Sequence, residues 1–208
     1  MCFSATASFA TGGALSAAGA LTLSKAKKKT ELLFASIPLL LGIQQVIEGT
    51  VWLSFGSPML NTIATYAYVL FSHVLWPMFV PLAILLIESD PVRRKILKVF
   101  LFVGVGVGAH LAYVIAAAPV TASIVNRSIA YDVSYAYPLL GMALYLIATC
   151  GSPLVSSYRI LNMFGVALVI AFGVSTWFFM NAFFSVWCFF AAALSVFIFA
   201  HVIFERKK

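Results

Sequence analysis

The chain has 208 residues, 63% of them hydrophobic and only 9% charged. Soluble domains run at roughly 45–50% apolar and about 25% charged. That composition excludes a soluble globular domain, a disordered segment, a disulfide scaffold and, despite the net charge of +7, a nucleic-acid binder. With a mean hydropathy of +1.06 and long apolar segments, the sequence predicts an all-α polytopic transmembrane bundle. At about 20 residues per span, the length fits one transmembrane domain over residues 1–208 and leaves no room for a soluble one.

Seven spans are predicted. The first, about 3–23, is rich in Ala, Gly, Ser and Thr, which lets helices approach closely. Cations follow it rather than precede it, so it does not read as a signal peptide. The second runs over about 31–55 and the third over about 61–87, where Pro77 and Pro81 predict a kink. The fourth, about 96–118, carries Gly104, Gly106 and Gly108, read as close helix packing. A polar connection over 119–134 follows, then spans over about 135–150, 160–180 and 182–204. No internal repeat of the transporter kind is visible.

The cations fall in clusters: Lys25 with Lys27 to Lys29, Arg93 to Lys95 with Lys98, Arg159, and Arg206 to Lys208. With seven spans all of these lie on one side, and only Arg127 lies on the other. The positive-inside rule then predicts an outward N-terminus and a cytoplasmic C-terminus in the inner (cytoplasmic) membrane. The three cysteines, Cys2, Cys150 and Cys188, form no C-x-x-C pair.

The opening MCFSATASF, the Lys-rich loop and the segment IPLLLGIQQVIEG followed by VW resemble an uncharacterised family of bacterial multi-pass membrane proteins. Its members begin in the same way and share GIQQ-x-x-EG in the second helix. The resemblance is specific over about the first quarter of the chain. It implies a small polytopic protein and no particular chemistry, and it rests on Cys2, Gln44, Gln45 and Glu48.

At membrane depth the ionisable side chains are Glu48, His73 and His110; His201 reads as interfacial. A charged group at the bilayer centre costs at least about 2.5–3.5 kcal/mol, so Glu48 must face the bundle interior. Gln44 and Gln45 share its helix face and Trp52 continues it. Tyr66 and Trp76 flank His73, and Tyr113 follows His110 by one turn. At about 1.5 Å per residue, Glu48 lies roughly 26 Å above the inner start of its span, His110 roughly 21 Å above its own, and His73 roughly 18 Å below the outer face.

One carboxylate and two imidazoles have the ligand inventory of zinc, then of iron or copper, with Cys2 as a further ligand. The first reading is therefore a membrane-embedded metalloenzyme. Glu48 would be a ligand or general base, His73, His110 and Cys2 ligands, and Gln44, Gln45, Tyr66 and Tyr113 supporting groups. The substrate would be lipidic or a small molecule. Other readings are a transporter or sensor of a proton, metal ion or small solute, a b-type haem protein using His73 and His110, and an accessory subunit. No lysine lies well inside a span, so retinal is excluded.

Overall fold

A computed structural model of the chain describes residues 4–135 and 137–204. Six of its helical segments are long and apolar enough to cross a membrane: Lys29–Ser54, Pro58–Ile87, Pro91–Ala117, Pro138–Val155, Arg159–Phe178 and Met180–Val202. A seventh long helix, α1 (Ala5–Lys25), precedes them.

Helix α1 runs antiparallel to α3 (Ile37–Ser54) in constant register. Small residues permit it. A Cβ on Gly19 would lie 2.3 Å from the Leu39 nitrogen, one on Gly42 would lie 2.7 Å from Ser16, and one on Gly12 would lie 2.8 Å from Val46. The second span is broken into α2 (Lys29–Ala35) and α3 at Ser36. Pro38 has no N–H for the Phe34 carbonyl, so the α-helical ladder cannot continue through this point.

The third span carries its irregularity at the expected place. Helix α4 (Pro58–Val69) passes into a π-helical turn, Leu70–Leu75, and then α5 (Trp76–Ile87). In the i→i+5 pairing of that turn the donor to the Ser72 carbonyl would be Pro77, which has none. The Tyr145 hydroxyl replaces it, donating to Ser72 O at 2.5 Å. Four residues after Pro77, Pro81 likewise leaves the Pro77 carbonyl without a helical donor. Here α6 (Pro91–Ala117) closes in, so that a Cβ on Gly104 would sit 1.8 Å from Pro77 O. Gly108 is similarly tight, at 2.8 Å from Met78, whereas a Cβ on Gly106 would meet nothing within 4 Å. Two of the three glycines thus serve helix packing and the middle one does not.

The connection after α6 is more than a polar loop. It forms an antiparallel hairpin, β1 (Thr121–Val125) and β2 (Ser128–Asp132), paired from Thr121↔Asp132 to Val125↔Ser128. Its two turn residues, Asn126 and Arg127, have φ of 48° and 60°, the positive values of a type I′ turn. Ile129 is fully buried, in a cluster with Val51, Tyr68, Val114 and Val133. The hairpin therefore caps one end of the bundle. The fifth span begins at Pro138 rather than Tyr135, because Pro138 occupies the first helical position. Tyr135 belongs to the connection. Helices α7 (Pro138–Thr149), α8 (Gly151–Val155), α9 (Arg159–Phe178), α10 (Phe183–Leu194) and α11 (Val196–Phe204) complete the bundle.

The cation-bearing junctions meet at the opposite end. Arg93 donates to the carbonyls of Val155 and Ser156 at 2.7 and 2.6 Å, and Arg94 donates to those of Leu85 and Glu88 at 3.0 and 2.9 Å. Lys28, Glu88, Tyr158 and His201 line one cleft of about 690 Å³ there.

Candidate functional site

Gln44, Gln45 and Glu48 on α3 are all fully buried. Helical spacing places both glutamines one turn before the carboxylate. Glu48 Oε1 accepts a hydrogen bond from Ser185 Oγ at 2.5 Å, and Gln44 Oε1 accepts from the Trp76 indole N–H at 2.6 Å. Cys188, one turn after Ser185 on α10, stands beside Gln44, Glu48 and Tyr68. Both amide ends of Gln45, Trp52 Nε1 and Thr65 Oγ1 are buried with no hydrogen-bond partner among the described residues. Roughly nine in ten buried polar groups in proteins are satisfied, and buried orphans are costly. Gln45 and Trp52 lie one turn either side of Glu48 on the same helix, so their orphaned atoms mark a buried polar cluster beside the carboxylate.

His73, in the π-helical turn, is fully buried at the edge of that cluster. Ser72 Oγ donates to the Val69 carbonyl at 3.3 Å. His73 Nδ1, 2.7 Å from Ser72 Oγ, is therefore the donor in that pair. Nε2 is left as an acceptor, and the Tyr135 hydroxyl donates to it at 2.5 Å. Burial, with the Asp132 carboxylate adding to it, raises the Tyr135 phenol above the ordinary tyrosine range, which keeps it a donor. The Phe184 ring packs against the imidazole, tilted by 32°, with ring centroids 3.9 Å apart. Phe184 and Ser185 are neighbours, so the first turn of α10 touches His73 with one residue and Glu48 with the next.

Packed side chains bound the cluster along the bundle axis on both sides. At the hairpin end Tyr131 stacks on Tyr68 at 4.4 Å, Tyr135 holds His73, and the Val120 N–H donates to the Tyr66 hydroxyl at 3.3 Å. Toward the cationic end lies an apolar layer of Ile37, Leu41, Trp76, Val80 and Leu168 around a small gap of about 50 Å³. The larger cleft opens beyond that layer.

The structure brings Gln44, Gln45, Glu48 and His73 into this region and puts Tyr66 under the hairpin. It does not bring in His110 or Tyr113. The inward stripe of α6 is Gly104, Val107, Gly108, Leu111, Val114 and Ile115. His110 and Tyr113 fall off that stripe and are exposed, Tyr113 at 71%. The expected ligand trio of Glu48, His73 and His110 is therefore not assembled. Among the described residues no group of three or more His, Cys, Asp and Glu side chains is placed to hold a metal ion. His73 has both ring nitrogens in hydrogen bonds, and His110 stands outside, so the two do not face one haem. Cys2 lies outside the described residues.

The family of unknown function DUF6629 matches over residues 1–208. The chain belongs to that family. The match extends well past the first quarter that carries the opening motifs. No curated protein and no solved structure matches the chain, so the function of this DUF6629 member rests on its geometry. Sequence reasoning missed three residues of the site: Ser185, Tyr135 and Tyr145. A lone serine in the aromatic run FFSVWCFF carries no pattern. Tyr135 falls at the expected start of the fifth span and Tyr145 within it, with nothing in the sequence to single either out. The one available signal was Pro138, which marks a helix start three residues after Tyr135.

Proposed function

We propose that the protein is a multi-pass membrane transporter with an occluded polar chamber, in which Glu48 binds and releases a transported proton. The observation that carries this reading is the fully buried group of Gln44, Gln45 and Glu48 with orphaned Gln45 amide atoms, bounded by packed side chains at both ends. An ionisable residue inside a span is a functional group by default, because its insertion is costly. The cationic end faces the cytoplasm and the hairpin faces outward, in keeping with the positive-inside rule.

Each closure is made of weak, reversible contacts. Opening outward breaks the Tyr135–His73 hydrogen bond and the Tyr68–Tyr131 stack. Opening inward parts the apolar layer, and the π-helical turn between α4 and α5 supplies the hinge, a position where such irregular turns recur. A ligand seated against Gln45 would compete with Ser185 for Glu48 and change the proton affinity of the carboxyl. A metal-centred reading has less support, because His110 stands outside the chamber.

Proton flux in proteoliposomes tests the proposal. Wild-type protein is expected to dissipate an imposed pH gradient at least about tenfold faster than protein-free vesicles, a barrier difference of about 1.4 kcal/mol. Glu48→Gln, which keeps the shape and the acceptor for Ser185, is expected to fall to the protein-free rate. Equal rates for wild type and Glu48→Gln would contradict it.

A further inference from the structure

The largest polar misfit outside the chamber is His110. It lies in the last third of α6, about 10 Å from the helix end at 1.5 Å per residue, and it is exposed on the surface of a membrane-spanning helix. Imidazoles at membrane depth ordinarily face the bundle interior or a cavity. This one faces a groove between α6 and α7 of about 370 Å³, lined by Phe102, Gly106, His110, Tyr137, Leu140 and Gly141 among others. Gly106 and Gly141 hold it open, since a Cβ at either would meet nothing within 4 Å.

The groove continues inward. A second, smaller cavity of about 50 Å³ shares His110, Leu111, Tyr137 and Gly141 with it, and its inner wall is Tyr135, Tyr145 and Phe184. Those three side chains hold the His73 turn: Tyr135 bonds the imidazole, Phe184 packs against it, and Tyr145 bonds the Ser72 carbonyl. An apolar trough on the lipid face thus runs past one imidazole to the wall of the chamber. The other large lipid-facing groove differs. It is about 550 Å³, its lining includes Leu70, Phe71, Val74, Met78 and Phe79, and it contains no ionisable side chain.

We infer that the α6–α7 groove is a lateral portal for a single-chain amphipathic lipid of the fatty-acid type, its hydrocarbon tail in the trough and its hydrogen-bonding head between His110 and Tyr135. The tail matches the apolar trough, and a groove of about 370 Å³ has room for a single chain. The head supplies the polar partner His110 needs in hydrocarbon. This deepens the transport reading by naming the ligand class and its route, and it depends on that reading only for what happens after entry.

The test is photocrosslinking in liposomes with a palmitic acid bearing a diazirine on its chain. Crosslinks are expected at 102–110 and 137–144, several-fold above those at the apolar groove of 70–79, which serves as the internal control. Gly141→Leu fills the groove at a position with open space for its side chain, and His110→Leu removes the polar anchor while leaving the trough. Both are expected to lower the α6–α7 crosslinks to the control level with the thermal midpoint unchanged. Even labelling of the two grooves, or labelling that survives both substitutions, overturns the portal. Glu48→Gln is expected to keep the crosslinks. A protein that crosslinks as described but carries no proton flux retains the portal and loses the transport reading.

Discussion

Gly104→Ala is expected to be among the most destabilising single-methyl substitutions in this chain. The added carbon would stand 1.8 Å from Pro77 O and 2.8 Å from Pro77 C. Both obstacles are backbone, so no side chain can swing away. The backbone there is fixed by proline chemistry: Pro81 deprives the Pro77 carbonyl of its helical donor, and close approach of α6 covers the oxygen with the Gly104 Cα–H, a contact worth about 0.5–1 kcal/mol. Alanine would push α6 away from α5, and overpacking of this kind costs about 1–3 kcal/mol. The lost cover over an unpaired carbonyl adds to it. Thermal unfolding in detergent, followed by size-exclusion chromatography, is expected to show a clearly lowered midpoint for Gly104→Ala and a wild-type midpoint for Gly106→Ala. Equal midpoints for the two would contradict the packing described here.

Glu88→Ala is expected to cost about 3 kcal/mol, on the scale of one or two hydrogen bonds to a buried charge. Glu88 is only 2% exposed, in the turn between α5 and α6. Its carboxylate accepts from the N–H groups of Ser89 and Asp90 at 3.0 Å each, from Ser157 N–H at 2.7 Å, from Ser157 Oγ at 2.5 Å and from Ser156 Oγ at 3.2 Å. It therefore ties two junctions of the cationic end together. Burial pushes its pKa up, but the hydrogen bonds from Ser157, Asp90 and Ser156 together pull it further down, below its ordinary 4.5. A carboxyl with a depressed folded-state pKa contributes stability that is complete above the unfolded value and is lost as pH falls toward the folded one. Thermal midpoints are thus expected to hold from neutral pH to about 5 and to drop below 4.5. Glu88→Ala is expected to flatten that acid-side fall; an unchanged fall would assign it to other carboxyls.

Much of the fold was legible because hydropathy and length leave little choice in a bilayer. The spans, the irregularity near Pro77 and the burial of Glu48 with both glutamines all followed from the cost of polar groups in hydrocarbon. The hairpin was not legible. Residues 119–134 look like a polar loop, and their only turn signal is Asn126–Arg127, which lacks the glycine usual in type I′ turns. The position of His110 was not legible either. Whether a helical residue faces inward depends on which stripe packs, and in α6 the glycines at 104 and 108 define it. Gly106 breaks that spacing, so the stripe could not be singled out from GVGVG alone. Without that rotation, His110 counts as a ligand beside Glu48 and His73; with it, His110 faces outward. Ser185 shows a general difficulty: a single hydroxyl in an apolar helix acquires meaning only from what it faces.

Glu48, His73 and the first turn of α10 form one mechanical unit, since Phe184 and Ser185 contact the imidazole and the carboxylate in succession. Tyr135 ties the segment after the hairpin to His73, and the first turn of α10 ties His73 to Glu48. Transport through the proposed chamber requires it to become accessible from each side in turn. Gln45→Cys, in a chain whose three native cysteines are replaced, tests this most directly. Proteoliposomes and inverted vesicles would be exposed to a small membrane-impermeant thiol reagent, with Ser24→Cys and Ser134→Cys as exposed references for the two ends. The prediction is reaction at residue 45 from both faces, slower than at either reference. No reaction from one or both faces, under conditions that label the reference on that face, would contradict an alternately opening chamber.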